Sequence, residues 1–302
     1  EAFDKLFDLY NDIKEERIIE FIDMLKNSET SFLQKRILAK IISLQNYAKV
    51  IIENLITEDV TTTSDYNYFK LINVKIENDS FMLHFLNFAL EYGYDYVGLD
   101  NNFVIMPESE RVYLVLARAL LIRRPFELYG IKESGKNETL RTFANLCGKR
   151  IQYINTTENF TLQGFNNTLY GNLKTGCWIC LNNTDNMKFE LLEILGNRIL
   201  EVYRILIHAS SGQDEYFIEN GDKFPVKVKQ TNIFLYRNLS YETKFNSEEI
   251  PKNIKNYFRQ IAVPSLDARF FLLNALRSFD FNDCENMTNK IKAYNNIELA
   301  KE

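Results

Sequence analysis

Gly130-Ile-Lys-Glu-Ser-Gly-Lys-Asn137 is the stretch that decides how this chain is read. It spells G-x-x-x-x-G-K, a phosphate-binding loop, up to its last letter. There a Ser or Thr hydroxyl would ligate magnesium, and Asn137 stands instead. Two glycines and a lysine can also take this spacing in a plain surface turn before a helix, so the flanks matter. Phe126-Glu-Leu-Tyr129 predicts a short strand running into Gly130. Lys136 to Leu146 predicts a helix with Leu140, Phe143 and Leu146 on roughly one face. Strand, glycine loop and helix are what the motif needs: N–H groups at the helix N-terminus cradle phosphate, and Lys136 reaches the outer phosphates.

Such a loop works with an acidic strand end that holds magnesium and polarises water. The best match is Gly176-Cys-Trp-Ile-Cys-Leu-Asn-Asn183, an apolar run suited to a buried parallel strand. Where two carboxylates are expected stand Asn182 and Asn183. Asparagine copies the shape of aspartate without its charge; it cannot act as a general base and is a weak ligand for a hard dication. Asp185 lies three residues past the first of these positions. It is either a displaced metal ligand or, the reading preferred here, a helix N-cap.

Composition narrows the rest. The 302 residues allow one large or two modest domains, and 46% hydrophobic content is ample for a core. A net charge of −5 with scattered basic residues gives no reason to expect nucleic acid as a partner. The chain opens on Glu1 without a methionine, which suggests a fragment or a processed product. No apolar leader or membrane-length run stands out, so a soluble intracellular protein without a membrane partner is expected. Cys177-Trp-Ile-Cys180 has redox-motif spacing, but it lies in an apparent buried strand rather than at a helix start. Cys147 and Cys284 stand alone, and two histidines do not make a zinc site. His84, in an apolar stretch read as helical, and His208 are read as structural.

Along the chain, residues 1–60 predict two helices. The first carries Phe3, Leu6, Phe7, Tyr10 and Ile13; the second carries Ile37, Ile41, Leu44, Ala48, Ile51 and Leu55 as its packing face. Tyr66 to Ile76 reads as a connector with strand character. Further strands are expected at Arg150 to Asn155 and Val226 to Lys229. Asp185 to Ile207 predicts a long helix, Asn220-Gly-Asp222 a turn that could close a hairpin, and Leu266 to Leu276 another helix.

Seven ordered segments give the chain a family resemblance, from about residue 31 to about residue 280. Phe32 to Tyr66 resembles the segment before the motor ring of dynein heavy chains. Tyr92-Gly-Tyr-Asp-Tyr-Val-Gly98 is similar to that family's YGYEYLG. Phe103-Val-Ile-Met-Pro-Glu-Ser-Glu-Arg111 resembles LVITPLTDR. Gly130 to Thr139 aligns with GPAGTGKTET, and Gly176 to Asn186 with GAWACFDEFNR, both without a gap. Ile233 to Asn238 resembles VFITMN, and Ile254 to Arg259 resembles LKALFR. The resemblance implies the end of the linker followed by the first AAA+ module of the ring. The fold expected is an α/β P-loop AAA+ three-layer sandwich behind a helical linker segment. Residues 1–85 would be linker, 86–264 the core, and 265–302 the start of a helical lid.

The resemblance also assigns roles. Gly130, Glu133, Gly135, Lys136 and Asn137 form the phosphate loop, read as vestigial. Val104, Ile105 and Pro107 lie beside the adenine, Asn238 is the sensor near the outer phosphate, and Arg259 contacts a neighbouring module. Glu133 replaces the loop's middle glycine, and a carboxylate there repels phosphate by on the order of a few kcal/mol at ~4–6 Å. It could instead pair with Lys136 or cap the loop's N–H groups, or point to solvent. No catalytic residue and no metal site are assigned, and no cofactor is expected to work here; ATP or ADP with magnesium is the alternative. The implied partners are the remaining ring modules, other dynein subunits and, through the parent protein only, the microtubule. The location implied is cytoplasm and cytoskeleton or a ciliary or flagellar axoneme. Two functions follow: a non-hydrolysing structural or regulatory module, or an active ATPase driving microtubule-based movement.

Overall fold

The computed structural model describes residues 17, 19–25, 30–62, 64–77, 79–98, 109–132, 134–156, 160–208, 216–219, 222–225, 231–239, 250–264, 269, 272–273, 275–276, 281 and 283–299. The expected first helix at residues 3–13, the strand at 226–229, the adenine-side residues Val104, Ile105 and Pro107, Glu133 and most of the helix at 266–276 lie outside them. The chain forms two compact units, one of residues 72–97 and 111–265, the other of residues 1–71, 98–110 and 266–302.

The larger unit is built on a five-stranded parallel sheet. Its strands are β4 (Phe126–Ile131), β5 (Ile151–Asn155), β6 (Trp178–Asn182), β9 (Ile233–Leu239) and β10 (Arg259–Ala262), in the order β10-β4-β9-β6-β5. Counted along the chain, these five run 5-1-4-3-2 across the sheet, so β4 and β6 are separated by β9, the fourth. The crossovers are α3 (Lys136–Leu146), α4 (Leu162–Thr175), α5 (Phe189–His208) and the short α6 (Lys252–Tyr257); α2 (Glu110–Leu121) precedes the first strand.

Strand alternation shows why the sheet needs helices on both faces. Every residue of β6 is buried. Ile179, Leu181, Ile233 and Leu235 point into a cluster with Leu169 and Leu173 of α4 and Leu195, Ile199 and Val202 of α5. Their neighbours point the other way: Trp178 stacks on Phe143 of α3 and meets Phe234 edge-on, and Tyr113 of α2 stacks on Phe143. The expected α/β sandwich is therefore present, with α2 and α3 on one side of the sheet and α4, α5 and the short α6 on the other.

Before α2, a small antiparallel sheet joins β1 (Asn73–Glu77), β2 (Ser80–Phe85) and β3 (Phe88–Glu91) in sequence order. This corrects the helical reading around His84. Leu83 and Phe85 are buried while Met82 and His84 between them are half-buried, an alternation of period two, and His84 Nε2 lies 3.0 Å from Glu77 Oε1 on the paired strand. The expected connector at Tyr66 is a helical turn, Tyr66–Phe69, capped by Asp65, before β1 begins. β7 (Tyr216–Glu219) and β8 (Asp222–Pro225) pair antiparallel with Glu219 opposite Asp222, the hairpin expected there.

In the second unit, α1 (Phe32–Thr57) starts in a capping box: Ser31 accepts from the Gln34 N–H while the Gln34 side chain accepts from the Ser31 N–H. Its buried residues are Ala39, Ile42, Ser43, Asn46, Ile52 and Leu55, whereas Ile37 and Leu44 of the expected face are exposed. The buried stripe is rotated from the apolar one because two polar residues, Ser43 and Asn46, lie on it. Helix α7 (Cys284–Leu299) belongs to the same unit. Among the described residues no helix is long and apolar enough to cross a membrane.

Candidate nucleotide site

The loop between β4 and α3 follows the expected strand-loop-helix course. Gly135 at the helix start has φ 79°, a left-handed conformation that favours glycine. Gly130 is required for a different reason. A Cβ there would stand 2.7 Å from the Val263 carbonyl oxygen and 3.1 Å from Ser134 Oγ, so only glycine fits between loop and neighbouring strand. Ser134 Oγ is buried without a hydrogen-bond partner.

Lys136 is 7% exposed. Its Nζ donates to the carbonyls of Gly130 at 3.1 Å and Ile131 at 2.7 Å, so the ammonium folds back on its own loop. Burial lowers its pKa, and the charge of Asp185 partly opposes that shift. Tyr236, two residues before Asn238 on β9, donates its hydroxyl to the Lys136 carbonyl and ties the helix start to the sheet. Asn137 is exposed, and its carbonyl accepts from Tyr153 Oη at 3.3 Å.

The end of β6 is held by amides and hydroxyls. Asn182, 8% exposed, donates from Nδ2 to Asn155 Oδ1 at 3.2 Å, and its Oδ1 accepts from Cys180 Sγ at 3.3 Å. Thr156 Oγ1 lies 2.7 Å from both the Asn182 and Asn183 carbonyls. Asn183 takes φ 59°, the left-handed region that asparagine tolerates better than most side chains. The Cys180 thiol is wholly buried, which pushes its pKa well above the ordinary range, and all four cysteines are free. Cys180 packs inside the sheet and is bonded to Asn182.

Asp185 is where the sequence reading fails. It lies in a 3-10 turn, Thr184–Asn186, and α5 starts only at Phe189, so it is not the cap of that helix. Its Oδ1 accepts from the Asn238 backbone N–H at 3.1 Å and from Asn238 Nδ2 at 3.3 Å. Asn238 Nδ2 also donates to Asn183 Oδ1 at 3.1 Å. Thr184 Oγ1 donates to the Tyr236 carbonyl at 2.7 Å and fixes the turn against β9. Asn183, Asp185 and Asn238 thus form one cluster at the ends of β6 and β9, and Lys136 feels its charge. Tyr236, Thr156 and Asn155 were not singled out from sequence; the signal for Tyr236 was its position two residues before Asn238 on one strand, hence on the same face.

Arg259 opens β10 and is exposed; its N–H donates to the Pro125 carbonyl at 2.8 Å, pairing the strand with the start of β4. It lies at the opposite end of the sheet from Gly130, which pairs with Asn238.

Residues 92–301 match the family described as the hydrolytic ATP binding site of the dynein motor region. Human dynein axonemal heavy chain 1 is 24% identical over 267 residues, covering 88% of this chain. The dynein-1-beta heavy chain of the flagellar inner arm I1 complex of Chlamydomonas reinhardtii is 22% identical over 91% of the chain. The cytoplasmic dynein heavy chain of Drosophila melanogaster is 25% identical over 69%. The chain spans about 6% of the length of the first two relatives and 4% of the third.

Proposed function

Because the chain belongs to the family of the hydrolytic ATP-binding region of the dynein motor, we propose that it is an AAA+ module that does not hydrolyse ATP and serves a motor ring structurally or as a regulator. The single observation that carries this reading is the chemistry at the end of β6. Asn182 and Asn183 offer neutral amides, already bonded to Asn155, Cys180 and Asn238. Asn137 offers a third amide where a hydroxyl would be needed. This donor set does not fit magnesium, which favours carboxylates and phosphate oxygens in an octahedral shell. Lys136, bonded to two loop carbonyls, must give up both to reach a phosphate. Weak nucleotide binding, or none, follows from the same geometry.

In this reading residues 1–85 are the end of a linker and residues 86–302 the module. Arg259, exposed at the sheet edge, contacts a neighbouring module. The further partners are the other ring modules and dynein subunits, and microtubules are reached only through the parent protein. The names of the relatives, axonemal, flagellar and cytoplasmic, support a cytoskeletal location.

A second reading rests on Asp185. It is the one described carboxylate bonded to Asn238, its charge reaches Lys136, and it could replace the missing acid in an active ATPase. Magnesium-dependent ATP turnover, measured on the 302-residue protein and on the parent ring, separates the two. No turnover above background is expected in the 302-residue protein, and none that depends on Lys136 in the ring. Turnover in the ring that disappears in Lys136→Ala overturns the proposal, and further loss in Asp185→Asn would establish the second reading.

A further inference from the structure

Beside α2, in the larger unit, lies a groove of about 730 Å³. Four arginines line it: Arg111 and Arg118 of α2, Arg124 just before β4, and Arg259 at the start of β10. All four are exposed, so their charge is open to an incoming ligand. Among the described residues no carboxylate stands on the lining. Glu127, one register step from Arg259 in the sheet, is held by Arg237 at 3.0 Å. Arg124 donates from Nε to the Tyr257 carbonyl at 3.2 Å. Arg111, Arg118 and Arg259 form no ion pair and no side-chain hydrogen bond among the described residues. Like charges gathered in a concave site raise the local potential and favour an anion.

Apolar groups stand between the charges. Arg111, Leu114, Val115, Arg118 and Ile122 recur every three or four residues, which puts them on one face of α2 and its end. Val112, Tyr113, Leu116 and Ala117 make the buried face. Ile122 is 53% exposed. Leu86 and Phe88, from the hairpin that joins β2 and β3, add further apolar lining. Leu86 has φ 49°, in a two-residue turn where glycine or asparagine is favoured. A leucine is thus kept there against backbone preference, and it lines the groove.

We propose that this groove binds an extended acidic segment of a protein partner, with two carboxylates three residues apart on Arg111 and Arg118 and an apolar side chain between them on Leu114 and Val115. The spacing selects the conformation. Seven helical residues separate the two arginines by ~10.5 Å along α2. A polyproline II segment repeats every three residues and ~9 Å, so its side chains i and i+3 project alike and reach both guanidiniums. A partner helix ~10–12 Å across needs about 1,000 Å³ over the same length, more than the groove offers. Arginine also binds phosphate, but a nucleic-acid strand brings no apolar side chain for this floor, and a chain of net charge −5 repels a long polyanion elsewhere. The inference goes beyond the contact proposed for Arg259 and is independent of the nucleotide reading, because no lining residue belongs to the phosphate loop or to the end of β6.

The test uses a fluorescein-labelled peptide, Gly-Glu-Leu-Pro-Glu-Leu-Gly, titrated into the 302-residue protein and followed by anisotropy. Saturable binding is expected below ~1 mM, weakening as salt rises from ~50 to ~300 mM because the charges are exposed. Two control peptides, one with glutamine for both glutamates and one with the glutamates adjacent, should bind several-fold more weakly. Arg111→Gln and Arg118→Gln should each weaken the acidic peptide by about tenfold, the loss of one charge-assisted contact. Neither should lower the melting temperature, since neither removes a bond of the fold. Leu86→Gly should melt no lower than the parent and also bind the peptide more weakly. Absence of saturable binding, equal binding of either control peptide, or unchanged affinity in both arginine variants or in Leu86→Gly overturns the proposal. So does a thymidine oligonucleotide that binds more tightly than the peptide. Should the variants fail to fold, salt-independent binding by the parent overturns it equally. ATP turnover is not read in this experiment, so the nucleotide reading can fail without it and it without the nucleotide reading.

Discussion

The end of β4 and the end of β6 face the same site with different means. At β4 the geometry is made by backbone: a glycine wedged against the Val263 carbonyl, a second glycine at positive φ, and carbonyls that receive Lys136. At β6 it is made by side chains: amides and a threonine hydroxyl that satisfy one another and the strand's last carbonyls. A backbone-built half keeps its shape through changes of side chain, provided its glycines remain. A half built from side chains changes its chemistry with each letter, even while its hydrogen bonds stay satisfied. Shape and chemistry can therefore part company within one site. Here the loop has the form of an anion cradle, while the strand that would activate water ends in two neutral residues.

The contrast breaks first at Gly130. Gly130→Val inserts a branched side chain where even a Cβ meets a backbone oxygen at 2.7 Å. Overpacking against main chain is relieved only by moving β10 or the loop, and a loss of about 3 kcal/mol is expected in urea unfolding. A loss below ~0.5 kcal/mol would mean that loop and strand are free to separate, and that the backbone half is not held as described.

Thr156→Val tests the other half. The hydroxyl is shared by the Asn182 and Asn183 carbonyls, and Thr156 is 2% exposed, so valine leaves the Asn183 oxygen without that partner in a dry setting. The Asn182 oxygen keeps the Thr156 N–H at 3.1 Å. The expected cost is about 1–2 kcal/mol, smaller than at Gly130. An unchanged denaturant midpoint would show that the strand end does not depend on this hydroxyl.

The difference between the halves also explains what the sequence could reveal. The strand, loop and helix from Phe126 to Leu146 are adjacent in the chain and carry local signals, so their order was legible. So was β6, whose unbroken apolar run bespeaks burial on both faces. The sheet at Asn73–Glu91 was not, because Phe81-Met-Leu-His-Phe-Leu is apolar almost throughout and periodicity cannot separate strand from helix in so short a run. On α1 the spacing is legible as helical, but only part of the expected face is covered: Leu55 is buried and Ile41, Ala48 and Ile51 are half-buried, whereas Ile37 and Leu44 are exposed and the polar Ser43 and Asn46 are buried. Asp185 was misassigned because its partner, Asn238, lies 53 residues further along the chain. A local cap was the only role that neighbouring letters could suggest. The groove arginines gave no signal at all: Arg259 lies far along the chain from Arg111, Arg118 and Arg124, and only the fold gathers them.

The finest test concerns Lys136, where the two halves meet electrostatically. Its pKa is lowered from the ordinary 10.5 by burial, with Asp185 opposing. A lowered lysine pKa means that the unfolded chain holds the proton more tightly than the fold does. Stability conferred relative to an uncharged residue therefore rises with pH, beginning near the lowered folded value and ending near 10.5. Lys136→Met removes the proton, so the difference in unfolding free energy between parent and variant should tilt in favour of the parent as pH climbs through that window. Asp185→Asn removes the opposing charge, lowers the lysine further and should steepen the tilt. Both effects are expected to be smaller than those at Gly130 and Thr156, because two carbonyl partners offset part of the burial cost of the charged form. Urea unfolding of the three proteins at a series of alkaline pH values measures them. A parent-minus-Met difference that stays flat across the window would mean that Lys136 is as well solvated in the fold as in the unfolded chain. A slope unchanged by Asp185→Asn would uncouple the loop from the β6 end and leave each half of the site standing alone.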